Sequence, residues 1–287
     1  MTVILDGRSV AATLRDELRA EVTQLQQTHQ LVPRLAVVQV AGDAASAWYA
    51  RALSRACQQI GALFELTQLP ADVEQAVVLE HIAALNAQPT THGILVQVPL
   101  PPQLNADSIV GALDPRKDVD GQHPFNLGRL LQGLPAPLPN TPAGGLELLR
   151  RYAIPVAGKH AVVVGRSTVV GKPMALLLLH EHATVTIAHS RTPDLAAVVR
   201  QAEIVVVAVG RPGLVSGAML RPGAVVIDFG INEVSGSQVV GDVEYASAAE
   251  VASAITPVPG GTGPVTNMML LRNLLAAARA QAVSGLG

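Results

Sequence analysis

The residues from Val162 to Pro173 read VVVGRSTVVGKP. A β-branched run enters a turn with glycines at 165 and 171 and leaves into a helical stretch. Such a turn brings backbone N–H groups at a helix start up to a pyrophosphate, where a Cβ would obstruct the approach. The spacing from Gly165 through Arg166 and Ser167 to Gly171 is not the G-x-G-x-x-G form. An ordinary strand–helix turn can also carry two glycines, but the buried strand in front of it favours the nucleotide reading. The next strand ends at His189-Ser190-Arg191-Thr192. A site for NAD usually places an acid there, on the ribose 2′-hydroxyl. Ser190 and Arg191 stand in its place, and Arg166 lies in the first turn. Two guanidiniums and a hydroxyl suit a 2′-phosphate, because arginine offers charge and a donor fork together. Solvated surface arginines are the alternative; the pattern favours NADP over NAD.

Other residue types narrow the chemistry. Gln97 stands inside the apolar run GILVQVPL (93–100), where an amide needs a partner, structural or functional. Asp118 and Asp120 precede Gly121 in PRKDVDG, either as polar contacts or as turn formers. His180-Glu181-His182 does not make a metal site, since helix positions two apart do not share a face, and no cysteine cluster exists. No metal is expected. Gly171-Lys172 lacks the phosphate-loop spacing of ATPases, and there is no G-x-S-x-G nucleophile elbow.

These residues need a scaffold. Apolar positions at helical spacing (Val10, Leu14, Leu18, Val22, Leu25) predict a helix over 8–29. RLAVVQV (34–40), bounded by Pro33 and Gly42, predicts a strand; 46–60 a helix; 93–100 a second strand ended by Pro101 and Pro102. Buried strands between helices point to a parallel sheet. The Pro- and Gly-rich segment 133–145 marks a domain boundary. Beyond it, strands are predicted at 160–165, 183–189, 203–210 and 224–230, with a helix over 172–182, the layout of a Rossmann-type dinucleotide-binding domain. A turn-rich segment (256–264) precedes a helix from Asn267 to about Ala282, with Thr266 as its N-cap. The expected class is α/β with two βαβ domains. Residues 1–140 and 266–287 form the first, which is discontinuous, and 141–265 form the second.

The 287 residues suit two domains, and 49% apolar with 15% charged residues is a globular composition. A net charge of −2 offers no broad attraction for nucleic acid. The single cysteine, Cys57, excludes an intrachain disulfide and fits a reducing compartment. Asp6 and Arg8 interrupt the N-terminal apolar run, so no signal peptide is expected, and no apolar run reaches the ~18 residues of a membrane span. A soluble cytoplasmic protein is expected.

Several segments resemble the bifunctional methylenetetrahydrofolate dehydrogenase/methenyltetrahydrofolate cyclohydrolase family: GILVQVPLP (93–101), PRKDVDG (115–121), VVVGRSTVVGKPMA (162–175), HSRT (189–192), VAVGRPG (207–213), VIDFGIN (226–232), GDV (241–243) and ITPVPGGTGPVT (255–266). The resemblance covers nearly the whole chain. It implies a homodimer in one-carbon metabolism and purine biosynthesis, with a folate substrate held in a cleft between the domains and NADP as cofactor. It further implies that Tyr49 stacks on the aminobenzoyl ring, Gln97 sits beside the reacting carbon, and Asp120 bonds the pterin, these three being the catalytic set. Pro259, Gly260 and Gly261 wall the substrate site near the nicotinamide. Gly165, Arg166, Ser167, Gly171, Ser190, Arg191, Thr192 and Ile231 hold the cofactor. Trp48 and Tyr49 adjoin on one predicted helix, so at most one of them faces the cleft.

One position departs. The resemblance places a lysine four residues after the tyrosine, on the same helix face, and here Leu53 stands there. The chain has three lysines, Lys117, Lys159 and Lys172, none before residue 117. Arg51 and Arg55 stay protonated and serve poorly as acid–base groups. Hydride departure from the methylene carbon needs alignment and exclusion of water, whereas hydrolysis of the resulting cation needs protons handed on. The dehydrogenase step is therefore expected to survive and the cyclohydrolase step to be weak or absent, unless another carrier such as Lys117 enters the cleft. Full bifunctionality and a non-catalytic folate- or NADP-binding paralogue are the competing readings. Asn140 in place of a cysteine before Thr141, Gln122 after the KDVDG segment and Thr262 in GGTGP are smaller departures.

Overall fold

The computed structural model describes residues 2–40, 44–234 and 238–283; Gly42, the expected strand boundary, lies outside them. In chain order the elements are β1 (Val3–Ile4), α1 (Gly7–His29), β2 (Arg34–Val40), α2 (Ala44–Ile60), β3 (Leu63–Leu69), α3 (Gln75–Ala87), β4 (Gly93–Val96), α4 (Ala106–Gly111), α5 (Pro124–Leu131) and α6 (Asn140–Arg151). Then come β5 (His160–Val164), α7 (Gly171–His180), β6 (Thr184–Ala188), α8 (Leu195–Val199), β7 (Ile204–Val207), β8 (Val225–Asp228), β9 (Asn232–Val234), β10 (Gln238–Val240), α9 (Tyr245–Val251), β11 (Ala254–Ile255) and α10 (Thr262–Val283). No helix of the described residues is long and apolar enough to cross a membrane.

The chain divides into two compact units, and each is discontinuous. One comprises Thr13–Leu138 and Leu270–Gly287. Its sheet has the order β3-β2-β4, all parallel. The central strand β2 is buried from Leu35 to Val40, which is why its sequence runs apolar without alternation. The α1 positions Leu14, Leu18, Val22 and Leu25 are buried, as their spacing predicts. Gly93 opens β4 because a Cβ there would stand 2.2 Å from Val119 Cγ1 and 2.8 Å from Leu274 Cδ1 of α10. The expected strand 93–100 ends at Val96. Its remainder holds Pro99, and Pro101 follows; neither can donate to a ladder. The chain runs from β2 to β3 on one side and then to β4 on the other, so the connections diverge between β2 and β4.

The second unit comprises Met1–Ala12 and Pro139–Met269. Its six parallel strands have the order β1-β11-β8-β7-β5-β6, with β9 and β10 as a separate antiparallel hairpin. β5 and β7 lie side by side inside the sheet, and Val162, Val164, Val205 and Val207 belong to the core. Here the connections diverge between β5 and β7. The first twelve residues, expected in the other domain, belong to this unit: Val3 pairs with Ala254 and Ile4 with Ile255 at the sheet edge. A two-residue strand whose partner is 251 positions away leaves no local periodicity to read. The last helix also differs from expectation. It begins at Thr262, and Thr266 is interior, its Oγ1 donating to the Thr262 carbonyl at 3.2 Å. Pro264 resembles a turn residue, yet it falls in the first helical turn, where its missing N–H costs no helix bond.

Candidate active site

In open α/β sheets, ligands gather at the carboxyl ends of strands where connections diverge. A cavity of about 310 Å³ lies at that place in the three-stranded unit, lined by Ser46, Tyr49, Leu95, Val96, Gln97, Val98, Pro99 and Asp120. All three expected catalytic residues line it. Gln97 is 6% exposed and follows β4 directly. Its Nε2 donates to the Ser46 carbonyl at 2.8 Å, and its Oε1 accepts from Gln39 Nε2 at 3.0 Å. Tyr49 occupies the first half of α2. Burial, and then the Asp120 carboxylate, push its phenol far above the ordinary value. Tyr49 is therefore a neutral donor carrying an apolar ring. Asp118 organises the loop: its carboxylate accepts from the backbone N–H of Asp120, Gly121 and His123 and from Asn126 Nδ2. The two aspartates thus divide the work, one shaping the turn and the other lining the cavity.

The helix α2 also decides the neighbours. Its buried stripe runs through Ala50, Leu53, Cys57 and Ile60, at helical spacing. Leu53 has no exposed surface, while Trp48 is 65% exposed and turned away from the stripe. Arg51 and Arg55 lie on the exposed face. Lys117 does not reach the cavity. Its ammonium donates to the carbonyls of Leu85 (3.2 Å), Asn86 (2.8 Å) and Gln88 (2.8 Å), closing the C-terminal end of α3. Burial lowers its pKa, partly opposed by Asp114.

In the six-stranded unit, Gly165 follows β5 at the divergence point. Its φ is +132°, and a Cβ would stand 2.3 Å from the Ala208 carbonyl oxygen after β7. A Cβ on Gly171 would stand 2.4 Å from the Gly165 oxygen. Both glycines therefore let the turn close. Ser167 caps the start of α7, its Oγ accepting from Val170 N at 3.1 Å and Gly171 N at 3.2 Å. Among the described residues, the backbone N–H groups of Arg166, Ser167, Thr168 and Val169 donate to no acceptor. Thr192 closes its own turn by accepting from His189 N at 2.9 Å. Arg166, Ser190 and Arg191 are exposed at the ends of β5 and β6. Ile231, just beyond β8, is 70% exposed.

The turn 259–261 belongs to this unit and is tied to the start of α1. Gly7 N donates to the Gly260 carbonyl at 2.9 Å, and Gly260 has φ +110°. A Cβ on Gly7 would overlap the Gly261 oxygen at 1.6 Å, so the start of α1 needs glycine where it meets this turn.

Two family models cover most of the chain. Residues 5–120 match the catalytic domain of tetrahydrofolate dehydrogenase/cyclohydrolase, and residues 139–282 match its NAD(P)-binding domain. The chain belongs to the tetrahydrofolate dehydrogenase/cyclohydrolase family. It is 59% identical to the bifunctional protein FolD of Roseiflexus sp. (strain RS-1) over 98% of both chains. Its fold matches the bifunctional FolD dehydrogenase/cyclohydrolase of Campylobacter jejuni with a TM-score of 0.96 at 39% identity, over 98% of this chain and 99% of the other. It matches the FolD of Trypanosoma brucei, complexed with NADP cofactor and an inhibitor, with a TM-score of 0.93 at 38% identity, over 97% and 98%.

For a member of the tetrahydrofolate dehydrogenase/cyclohydrolase family, two features escaped the sequence reading. One is Gln39, buried in β2 beside Gln97; the string VQV recurs at 38–40 and 96–98, but nothing local in it pairs the two amides. The other is a pair of buried carboxylates behind three of the family segments. Asp242 accepts from the backbone N–H of Val209, Gly210 and Arg211 and from Asn232 Nδ2. Asp228 accepts from Gly230, Asp242 and Val243 N–H groups. Burial pushes the Asp228 carboxyl up to about 6 against the pull of those bonds, with Asp242 adding to the rise. Gly241 is required beside them, since a Cβ would fall 1.9 Å from Asp228 Oδ2.

Proposed function

We propose that this protein oxidises 5,10-methylenetetrahydrofolate to 5,10-methenyltetrahydrofolate with NADP, and that its cyclohydrolase step is weak or absent. The observation that carries the proposal is the cavity at the β2/β4 divergence, which gathers Tyr49, Gln97 and Asp120 while the position expected to be lysine is a fully buried leucine.

The residues of the six-stranded unit fit the cofactor. The N–H groups of 166–169 suit a pyrophosphate. Arg166, Ser190 and Arg191 suit a 2′-phosphate, and no acid stands among residues 189–192 to hold a free 2′-hydroxyl. When bound, NADP supplies the hydride acceptor. The NADP-bound Trypanosoma brucei relative supports the same choice.

The three-stranded unit supplies alignment. The Tyr49 ring offers a stacking face for the folate's aminobenzoyl group, and its phenol remains a donor across the working pH range. Asp120 accepts from the pterin. The Gln97 amide meets the reacting carbon. Hydride loss leaves positive charge on that carbon and its flanking nitrogens, and no proton need move. Hydrolysis of that cation is different: water must attack and lose a proton as the ring opens. Among the described side chains lining the cavity, only Tyr49 and Asp120 carry an ionisable group; the first is held protonated, and Lys117 is committed elsewhere. A homodimer, on the family resemblance, and a cytoplasmic site of action, on the single cysteine and the N-terminal sequence, complete the reading.

The test follows NADPH and methenyltetrahydrofolate together in a mixture of protein, methylenetetrahydrofolate and NADP. Both rising supports the proposal. NADPH rising without methenyl accumulation means a working cyclohydrolase, and neither rising means a non-catalytic relative.

A further inference from the structure

Gln97 belongs to a row of three amides that crosses the sheet. Gln68 on β3 stands directly opposite Gln39 on β2, and Gln97 follows Val96, which is opposite Val38. Gln68 Nε2 donates to Gln39 Oε1 at 2.8 Å, Gln39 Nε2 to Gln97 Oε1 at 3.0 Å, and Gln97 Nε2 to the Ser46 carbonyl at 2.8 Å. Gln39 is 2% exposed and Gln97 6%, so neither can exchange a lost partner for bulk water.

The row has a direction, and its end sets it. A backbone carbonyl only accepts, so Gln97 must turn its NH₂ toward Ser46. Its oxygen then faces Gln39, which must answer with its own NH₂, leaving the Gln39 oxygen for Gln68. Reversing any one amide sets oxygen against oxygen or N–H against N–H. Each bond used leaves Gln97 with one N–H and lone-pair capacity for the cavity. The choice has chemical consequence, because the two ends of an amide dipole act on a developing cation with opposite signs.

We propose that Gln39 is a positioning residue that locks the Gln97 amide in the orientation the oxidation requires. The inference rests on the reading of Gln97 as the amide beside the reacting carbon. Gln39 touches no substrate; it works through Gln97 alone. A filling role in the sheet would be met by any side chain of similar length, and a positioning role would not.

The experiment compares kcat and KM for methylenetetrahydrofolate oxidation in Gln39→Leu, Gln39→Glu, Gln97→Ala and the double variant Gln39→Leu/Gln97→Ala. Gln39→Leu is expected to lower kcat by roughly 10- to 100-fold while the KM for NADP moves less than about twofold. In the Gln97→Ala background the same change is expected to move kcat by less than about twofold, since its target is gone. Gln39→Glu keeps the length and the acceptor toward Gln68 but, ionised, has no donor for Gln97, and is expected to lose at least as much as Gln39→Leu. It also serves as the reading if the leucine variant fails to fold. Wild-type kcat in a folded Gln39→Leu or in Gln39→Glu overturns the inference, as does an equal loss in both backgrounds. Wild-type kcat in Gln97→Ala overturns the reading of the cavity itself, and the inference with it.

Discussion

The Lys117 ammonium donates to the Asn86 carbonyl at 2.8 Å, and that bond separates the only lysine of the KDVDG segment from the cavity its neighbour Asp120 lines. Two further carbonyls, of Leu85 and Gln88, complete its three donors. Lys117 is thus a helix-closing group. Replacing it with methionine leaves three carbonyls at the end of α3 without their cation, a loss of about 1–3 kcal/mol. Lys117→Met is expected to unfold at lower denaturant while its dehydrogenase kcat stays within about twofold of the parent. A large loss of kcat in the folded variant would return Lys117 to the reaction.

Leu53 supplies the converse experiment. It lies one turn beyond Tyr49 on the buried stripe of α2. Leu53→Lys is expected to raise hydrolysis of methenyltetrahydrofolate by about 10²-fold or more over the parent, the scale of a positioned acid–base group. Burying an ammonium in place of the leucine lowers stability at the same time. The check is the rate of methenyl loss in the two proteins at equal folded concentration. An unchanged rate means that the leucine does not limit hydrolysis.

Arg191 should decide between the two pyridine nucleotides. It is exposed at the turn after β6, where residues 189–192 hold no acid. Arg191→Ala is expected to raise the KM for NADP by roughly 10- to 100-fold, the loss of a charge-assisted contact, and to leave the KM for NAD within about twofold. Parallel titrations with both nucleotides measure this. A proportional rise in both would place Arg191 in general folding instead of 2′-phosphate recognition.

His92 predicts a pH dependence of stability. Burial, with Lys117 and Arg34 nearby, lowers its pKa from the ordinary 6.5 to about 4, and its Nδ1 accepts from Arg34 N at 3.1 Å. Between those values the unfolded chain binds a proton that the folded one refuses. Stability from this group is therefore present above pH 6.5 and is lost as pH falls toward 4. His92→Asn keeps an acceptor for Arg34 without a titrating ring. Denaturation midpoints from pH 7 down to about 4.5 should fall less steeply in the variant than in the parent. Parallel curves would remove His92 from acid unfolding.

The sequence was most readable where burial is complete and local. The central strands β2, β5 and β7 run apolar because both faces are covered, and α1 repeats its buried positions at helical spacing. Strand β3 went unread because it sits at an edge: LFELTQL exposes Leu63 and Leu66 along with its polar residues, which blurs the pattern. Helix α10 starts five residues before its apparent sequence start because Gly263 and Pro264 resemble a turn. At the candidate site, the family segments pointed to Tyr49, Gln97 and Asp120, and the cavity gathers them. Gln39 was invisible, since its meaning lies in a partner 58 positions away. So were the roles of Asp228 and Asp242, which act by holding backbone N–H groups of loops remote in sequence.

The pairing of Val3 with Ala254 has a further outcome for the newborn chain. A polypeptide leaves the ribosome in order, so β1 emerges well before β11 and must wait, unpaired, until its partner, 251 positions on, has been made. The other unit waits as well, because the α10 residues 270–283 complete it. Neither half can be finished by cutting the gene at the Pro-rich joint near residue 138. A fragment made that way lacks the closing helix of one half, and its complement lacks the outermost strand of the other.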